Sequence, residues 1–140
     1  MRVVLDTSAL IAIHEPKDQY HTIAKNILKD LLNAGIRFII PNTVYIEFSD
    51  NLVSHYGKKS ALEKLSLLKK SKFITFLNEE KEDFTLGEGF FQKFNDVDTS
   101  LTDSIIFSFM KWRKFRRIFT FDSHFQMMDF VVIPELNLYV

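Results

Sequence analysis

A chain of 140 residues is the size of one ordinary domain, and a hydrophobic fraction of 46% is enough to build a packed core. The absence of cysteine excludes disulfides, zinc–thiolate sites, iron–sulfur clusters and cysteine nucleophiles, so any metal must bind to oxygen or imidazole. Basic and acidic residues number 18 each, so net charge alone does not indicate a polyanionic partner.

The first third of the chain predicts two buried strands separated by a helix. Residues 3–5 form an apolar run that stops at a polar Asp-Thr-Ser turn, which is typical of a buried strand. Apolar residues recur at helical spacing over residues 19–34, and Gly35 follows where a helix commonly ends. Residues 38–40 predict the second strand, which Pro41 closes.

The middle of the chain predicts three helices and one strand. The first helix, over residues 42–56, begins at an asparagine that can cap it and ends at Gly57. Residues 60–70 have the spacing of a second amphipathic helix, and residues 73–77 predict a strand. The third helix, over residues 82–94, must accommodate two glycines, each of which costs up to about 1 kcal/mol inside a helix.

The last third of the chain predicts a helix followed by two strands. Ser100 and Asp103 resemble a capping box, with Asp in the usual Glu position, and open a helix that extends to about residue 113. Residues 118–121 and 131–133 are apolar runs that predict the final strands.

Strands that alternate with helices along the whole chain predict βαβ units. The strands lack strict alternation of polar and apolar residues, as is typical of strands buried on both faces. We therefore expect a single α/β domain over residues 1–140, with a central, mostly parallel sheet of four to five strands and helices on both faces.

Four carboxylates are expected at the carboxyl edge of this sheet, where open parallel sheets bind ligands. Asp6 and Asp122 directly follow predicted strands, and Glu47 and Asp103 lie early in helices that begin at the same edge. At about 4 Å and an effective dielectric near 20, each pair of like charges costs roughly 4 kcal/mol, so such a cluster requires a counter-cation or bound protons. A carboxylate site suits Mg²⁺ or Mn²⁺, which activates water for attack on a phosphodiester.

Each acid also has a simpler explanation. Asp103 could serve only to stabilise the helix dipole, Asp6 and Asp122 could be turn residues, and Glu47 could lie on a solvated helix surface. Their joint placement at one edge favours the metal site over these alternatives. Hydroxyl residues beside the acids are expected to orient carboxylates or waters, namely Thr7, Ser8 and Thr120.

The four acids lie in short motifs that read, in chain order, VVLDTSALIAI, PNTVYIEF, SLTDSII and TFDSHF. In this order and approximate spacing, over essentially the whole chain, the motifs resemble those of the PIN domain family and, within it, the toxin nucleases of the VapC type. The resemblance implies Mg²⁺ or Mn²⁺ at Asp6, Glu47, Asp103 and Asp122, and cleavage of RNA at phosphodiester bonds. It also implies a homodimer and often a small antitoxin protein, a segment of which covers the active site.

Several basic residues are candidate contacts for RNA. Cations interleaved with aromatic rings over residues 111–117 suit phosphate binding and base stacking, although cations near a helix C-terminus also favour its dipole. A histidine just after Asp122 is either a phosphate contact or an ordinary surface residue, and Asp98 is either a further acid of the site or a loop residue. The candidate substrate-binding residues are His124, Lys58, Lys59, Arg113 and Arg116.

The acidic residues therefore predict a Mg²⁺- or Mn²⁺-dependent nuclease, and the resemblance implies an endoribonuclease that is the toxin component of a type II toxin–antitoxin pair. No apolar run is long enough to span a membrane or to act as a signal peptide, so we expect a cytoplasmic location and no membrane partner. Two alternatives stay open. The chain could be a free-standing nuclease of the same family, or a catalytically silent module that binds RNA or another protein.

Overall fold

Strands and helices alternate through residues 1–95 and 98–135, which are the residues that the computed structural model describes. In chain order the elements are β1 (Arg2–Leu5), α1 (Thr7–His14), α2 (His21–Asn33), β2 (Arg37–Pro41), α3 (Asn42–Lys69), β3 (Ile74–Leu77), α4 (Lys81–Lys93), α5 (Leu101–Arg113), β4 (Arg117–Phe119), a 3₁₀ helix (Ser123–Met128) and β5 (Val131–Ile133). Among these residues no helix has both the length and the apolar character needed to span a membrane.

The strands form one sheet in the order β3-β2-β1-β4-β5, and every neighbouring pair is parallel. Helices flank this sheet, so the predicted α/β class with a parallel sheet is confirmed. Strand β1 is central: Val4 lies opposite Ile39 of β2 on one side and Ile118 of β4 on the other. The chain builds the sheet outward from β1 in both directions, so the strand order reverses between β1 and β4. A crevice opens at such a point, beyond the carboxyl ends of the strands.

The core is apolar on both faces of the central strand. Val3, Val4 and Leu5 of β1 are at most 2% exposed, which explains why the strand has no polar alternation. Helix α5 is buried over the continuous run from Ser104 to Met110, since it lies between the rest of the core and α4. Burying a Phe, Leu or Ile side chain contributes about 1.5–3 kcal/mol to stability. Because the buried strands are held in place by this core, the loops that follow them begin at defined positions at the sheet edge.

One helix was not predicted. The residues after β1 were expected to form only a polar turn, but α1 begins at Thr7, directly after Asp6 at its N-cap. The sequence of α1 is almost uniformly apolar, and Ala9, Leu10 and Ala12 are all buried. A helix without a polar stripe has no 3.6-residue pattern to detect, which explains the missed element.

Helix α3 joins the two helices that were predicted on either side of Gly57. Gly57 has φ 80° and ψ 166°, so the helical geometry breaks at this glycine although the assigned helix continues through it. The predicted asparagine cap was wrong: Pro41 holds the N-cap position and Asn42 is already helical. Glu79 caps α3 instead, because its Oε1 accepts hydrogen bonds from Thr43 N at 3.0 Å and Thr43 Oγ1 at 2.8 Å.

Strand β4 is shorter than predicted, since it ends at Phe119 rather than at residue 121. Phe121 N donates to Ser8 Oγ at 3.0 Å instead of to a neighbouring strand. The chain leaves the sheet at this point and turns toward the end of β1. The remaining predicted elements agree with the structure within a few residues at their ends, including the Ser100 cap of α5, whose Oγ accepts from Asp103 N at 3.0 Å.

Candidate metal centre

Two acids are brought together by strand pairing alone. Asp6 follows β1 and Asp122 lies three residues after β4, and these strands are parallel neighbours with Leu5 opposite Phe119. Their carboxyl ends therefore meet at the point where the strand order reverses. Asp6 N donates to Phe119 O at 3.1 Å, so the backbone contact between the two strands continues up to the first acid.

Asp6 is held rigidly at the floor of the centre. Asp6 is only 4% exposed, and its Oδ2 accepts hydrogen bonds from Thr120 Oγ1 at 2.6 Å and Ser8 Oγ at 3.2 Å. Burial raises the pKa of Asp6 to about 6, against the lowering effect of these hydrogen bonds and with a smaller raising effect from the Asp122 charge. Thr7 lies in the same turn, and its buried Oγ1 has no hydrogen-bond partner in the described part of the chain.

Asp103, Asp122 and His124 form a close group near Asp6, whose charge acts on Asp103. One ligand atom from each of these side chains lies within 4.8 Å of the others. His124 Nδ1 is 2.9 Å from Asp122 Oδ1 and 4.0 Å from Asp103 Oδ2. All three side chains are partly exposed, so solvent and a substrate can reach them.

The charges of the acids act on one another. The pKa of Asp103 is raised to about 8, first by burial and then by the charges of Asp6 and Asp122, a hydrogen bond with Asp122 and the charge of Glu47. A carboxyl with this pKa is protonated at neutral pH unless a cation takes the place of the proton. All four predicted acids therefore belong to one electrostatic group.

Glu47 lies outside the close group but acts on it through its charge. It is exposed on the second turn of α3, and its carboxylate is not among the three close ligand groups. Its charge nevertheless contributes to the raised pKa of Asp103, so it lies at the same edge of the sheet. Asp98 is exposed in the coil before α5 and is also outside the close group.

The donor set fits a hard or borderline divalent cation. Carboxylates with raised pKa values lie beside a buried imidazole nitrogen that has no hydrogen-bond partner among the described residues. The carboxylates of Asp103 and Asp122 and the imidazole of His124 supply the oxygen and nitrogen ligands that Mn²⁺ and related ions accept, and the charges of Asp6 and Glu47 act on Asp103. The arrangement can hold such an ion and present its open positions to a phosphate.

Of the predicted basic contacts, His124 lies in this group, whereas Arg113 and Arg116 lie elsewhere. Arg113 is the last residue of α5, and its guanidinium forms a two-pronged ion pair with Asp83 of α4 at 3.1 and 2.8 Å. Arg116 is exposed before β4, at the sheet edge opposite the acids. Lys58 and Lys59 are exposed just after the break in α3.

His124 belongs to the close group, whereas the sequence suggested either a phosphate contact or an ordinary surface residue at this position. A signal was available in the spacing. An aspartate that caps a turn accepts a hydrogen bond from the backbone two residues later, and Asp122 Oδ1 accepts from His124 N at 2.9 Å. Such a turn brings the two side chains to the same side of the chain.

A family model described as PIN domain matches residues 3–131 of the chain. Mycobacterium tuberculosis VapC20, described as a sarcin-ricin loop cleaving toxin, superposes with a TM-score of 0.79 at 19% identity, covering 92% of this chain and 96% of that chain. VapBC2 from Rickettsia felis, bound to a DNA fragment from its promoter, superposes with a TM-score of 0.65 at 16% identity, covering 94% of this chain and 97% of that chain. FitAcB from Neisseria gonorrhoeae superposes with a TM-score of 0.66 at 15% identity, covering 94% of this chain and 96% of that chain. These similarities describe the fold, and the comparison with curated proteins gave no match.

Proposed function

The chain belongs to the PIN domain family, whose members are nucleases, and from this premise we propose that it is a divalent-metal-dependent endoribonuclease comprising one domain over residues 1–140. The observation that carries the proposal is the acidic group at the β1–β4 crevice. Asp6, Asp103 and Asp122 lie there with pKa values of Asp6 and Asp103 raised to about 6 and about 8, and the charge of Glu47 acts on Asp103.

Asp6, Glu47, Asp103 and Asp122 would hold Mg²⁺ or Mn²⁺. When bound, the ion would lower the pKa of a water molecule and neutralise charge that develops on the phosphate during in-line attack. Asp6 would act as a fixed anchor, since Thr120 and Ser8 prevent its carboxylate from rotating. Asp103 would release its proton to solvent as the cation is taken up, which makes binding dependent on pH.

Glu47 differs from the other acids in its exposure. Because its carboxylate lies outside the close group but at the same edge, Glu47 would hold the ion through a bound water molecule. Lys58, Lys59 and Arg116 are exposed and are proposed as outer phosphate contacts, whereas Arg113 is engaged by Asp83.

The proposed substrate is RNA, and the proposed setting is a cytoplasmic toxin–antitoxin pair. The toxin VapC20 cleaves the sarcin-ricin loop, and a Klebsiella pneumoniae chain with a TM-score of 0.62 at 17% identity belongs to a toxin–antitoxin complex. The motif resemblance is the basis for proposing a homodimer, and the toxin–antitoxin complex among these relatives supports a small antitoxin partner. Light scattering of the purified chain measures the first, and co-purification with the product of a neighbouring reading frame tests the second.

The nuclease proposal is tested by incubating the purified chain with total RNA in Mg²⁺, in Mn²⁺ and in a chelator. We expect cleavage only with metal, and we expect Asp6→Asn to reduce the rate by about 100-fold or more while unfolding stays cooperative. Asp30→Asn is the matched control, since Asp30 is an exposed acid on α2 outside the acidic group, and it should cleave like the wild type. Equal rates for the wild type and Asp6→Asn would refute the proposal and favour a silent binding module.

A further inference from the structure

The Nδ1 atom of His124 is in an unusual position for a histidine nitrogen. It is buried without a hydrogen-bond partner in the described part of the chain, although Asp122 Oδ1 lies only 2.9 Å away. Buried polar atoms nearly always form hydrogen bonds, so a nitrogen that lies this close to a carboxylate oxygen without hydrogen-bond geometry requires an explanation.

The other three histidines show what an ordinary Nδ1 does in this protein. His14 Nδ1 lies 2.9 Å from Leu10 O, His21 Nδ1 lies 2.7 Å from Ala12 O, and His55 Nδ1 lies 2.9 Å from Asn51 O. Each of these nitrogens has a backbone carbonyl as its partner. His124 differs because its Nδ1 faces the side-chain oxygens of Asp122 and Asp103.

The fold holds His124 in this orientation. The next residue, Phe125, is fully buried and packs edge-on against Phe107 of α5, with ring centroids 4.8 Å apart. Phe107 is one helical turn after Asp103 on the same helix, so the packing of Phe125 brings His124 to Asp103. The backbone of His124 is fixed separately by its hydrogen bond to Asp122 Oδ1.

The distances match those between ligands of one ion. With metal–ligand bonds of about 2.1 Å, adjacent ligands of an octahedral cation are about 3 Å apart and opposite ligands about 4.2 Å apart. Nδ1 of His124 lies 2.9 Å from Asp122 Oδ1 and 4.0 Å from Asp103 Oδ2. Both values suit side chains that share one metal.

We propose that His124 is a direct metal ligand through Nδ1, together with Asp103 and Asp122, and that this nitrogen makes the centre select Mn²⁺ over Mg²⁺. Imidazole suits transition metals, whereas Mg²⁺ strongly prefers oxygen and gives up water reluctantly. The inference rests on the proposed function, because it assigns a fifth residue and a metal preference to the same centre.

The decisive measurement is pulsed electron paramagnetic resonance of Mn²⁺ bound to the whole chain, which detects a directly bonded ¹⁴N nucleus without any need for turnover. We expect ¹⁴N coupling in the wild type and its loss in His124→Gln. His55→Gln is the matched control, since His55 is exposed on α3 and its Nδ1 faces a backbone carbonyl, and its coupling should persist. Labelling the wild type with ¹⁵N-histidine repeats the test without a substitution and should convert the ¹⁴N signal to one from ¹⁵N.

Calorimetry supplies the second readout. We expect the wild type to bind Mn²⁺ more tightly than Mg²⁺, and His124→Gln to weaken Mn²⁺ binding by about tenfold or more with a smaller loss for Mg²⁺. Bound Mn²⁺ without ¹⁴N coupling, or equal losses for both ions, would overturn the assignment of His124 and leave the nuclease proposal intact. A wild type that takes up neither ion would overturn both.

Discussion

The hydroxyl of Thr120 joins the two acids that follow β1 and β4: its Oγ1 donates to Asp6 Oδ2 at 2.6 Å and accepts from Asp122 N at 3.0 Å. One fully buried side chain therefore holds the carboxylate of Asp6 and the backbone of Asp122. The hydrogen bond also lowers the pKa of Asp6, which burial raises to about 6. Thr120 thus favours the charged form of Asp6 that a cation requires.

Replacing Thr120 by Val removes this donor while keeping the side-chain shape. We expect Thr120→Val to weaken Mn²⁺ binding by roughly 10- to 100-fold, as is usual when a ligand loses its supporting hydrogen bond. Isothermal titration calorimetry measures the change. Thr85→Val is the control, since Thr85 is exposed on α4. Unchanged Mn²⁺ affinity in Thr120→Val would mean that the hydroxyl does not support the centre.

The raised carboxyl pKa values predict how the stability of the metal-free protein depends on pH. Burial raises the pKa of Asp6 to about 6 and that of Asp103 to about 8, both from 3.8. The folded protein therefore holds these protons more tightly than the unfolded chain does. The stability that they contribute is fully present below the unfolded value and is lost as the pH rises through each folded value. For Asp6 alone the loss is about 3 kcal/mol.

We expect the Tm of the metal-free protein to fall between about pH 4 and about pH 9, and saturating Mn²⁺ to restore it. Differential scanning calorimetry in a chelator measures the profile. Asp103→Asn should flatten the upper part of the curve and raise the Tm at about pH 9, because it removes a carboxyl that resists ionisation. A metal-free Tm that rises over this range would contradict the raised pKa values.

The sheet and its acidic edge could be predicted because they follow from local patterns and one topological rule. Apolar runs that end in Asp mark β1 and β4, and parallel strands direct their carboxyl ends to the same edge. The position of Asp6 beside Asp122 then needs no knowledge of side-chain packing. Glu47 and Asp103 could be placed similarly, since the helices that carry them begin at that edge.

The features that the sequence did not predict depend on contacts between distant segments. The packing of Phe125 on Phe107 helps to bring His124 to Asp103, and nothing in the sequence around residue 124 encodes that contact. Glu79 replaces the predicted cap of α3 in the same way, from a position 36 residues after Thr43. Local patterns indicate which elements form, whereas tertiary packing decides which side chains meet.

The two glycines of α4 have opposite relationships to their surroundings. A Cβ on Gly87 would lie 2.8 Å from the Cα of Ile105, so α4 and α5 approach closely at this residue, whereas a Cβ on Gly89 would meet nothing within 4 Å. We expect Gly87→Ala to lower the free energy of unfolding by about 1–3 kcal/mol, because the helices must separate. Gly89→Ala should raise it by about 0.5–1 kcal/mol, since alanine is the better helix former.

Urea denaturation of the two alanine variants compares the same substitution two residues apart in one helix. Their opposite signs separate the effect of packing from that of helix propensity. Equal destabilisation by both would mean that α4 does not approach α5 as described. This pair also explains why a sequence with two glycines still forms a helix: one glycine is required by the contact, and the other is tolerated.

The sequence suggested Arg113 as an RNA contact, but its ion pair with Asp83 predicts that Arg113 stabilises the fold instead. Asp83 is 2% exposed and caps the start of α4, while Arg113 also donates to Phe109 O at 3.0 Å and lies over the Phe109 ring. Arg113→Ala leaves the Asp83 charge buried without its partner, so we expect a loss of about 3–5 kcal/mol in the free energy of unfolding. RNA cleavage per folded molecule should stay close to that of the wild type.

Arg116→Ala is the matched comparison, because Arg116 is exposed and lies at the opposite edge of the sheet. Its effect on stability should stay within about 0.5 kcal/mol. If Arg116 contacts a phosphate, its replacement weakens RNA binding and reduces the dependence of binding on salt, since each lost phosphate contact lowers the slope by about one. Denaturation and salt-dependent RNA binding, measured on both variants, thus assign one arginine to the fold and test the other as a substrate contact. An Arg113→Ala variant that unfolds like the wild type but binds RNA poorly would reverse that assignment.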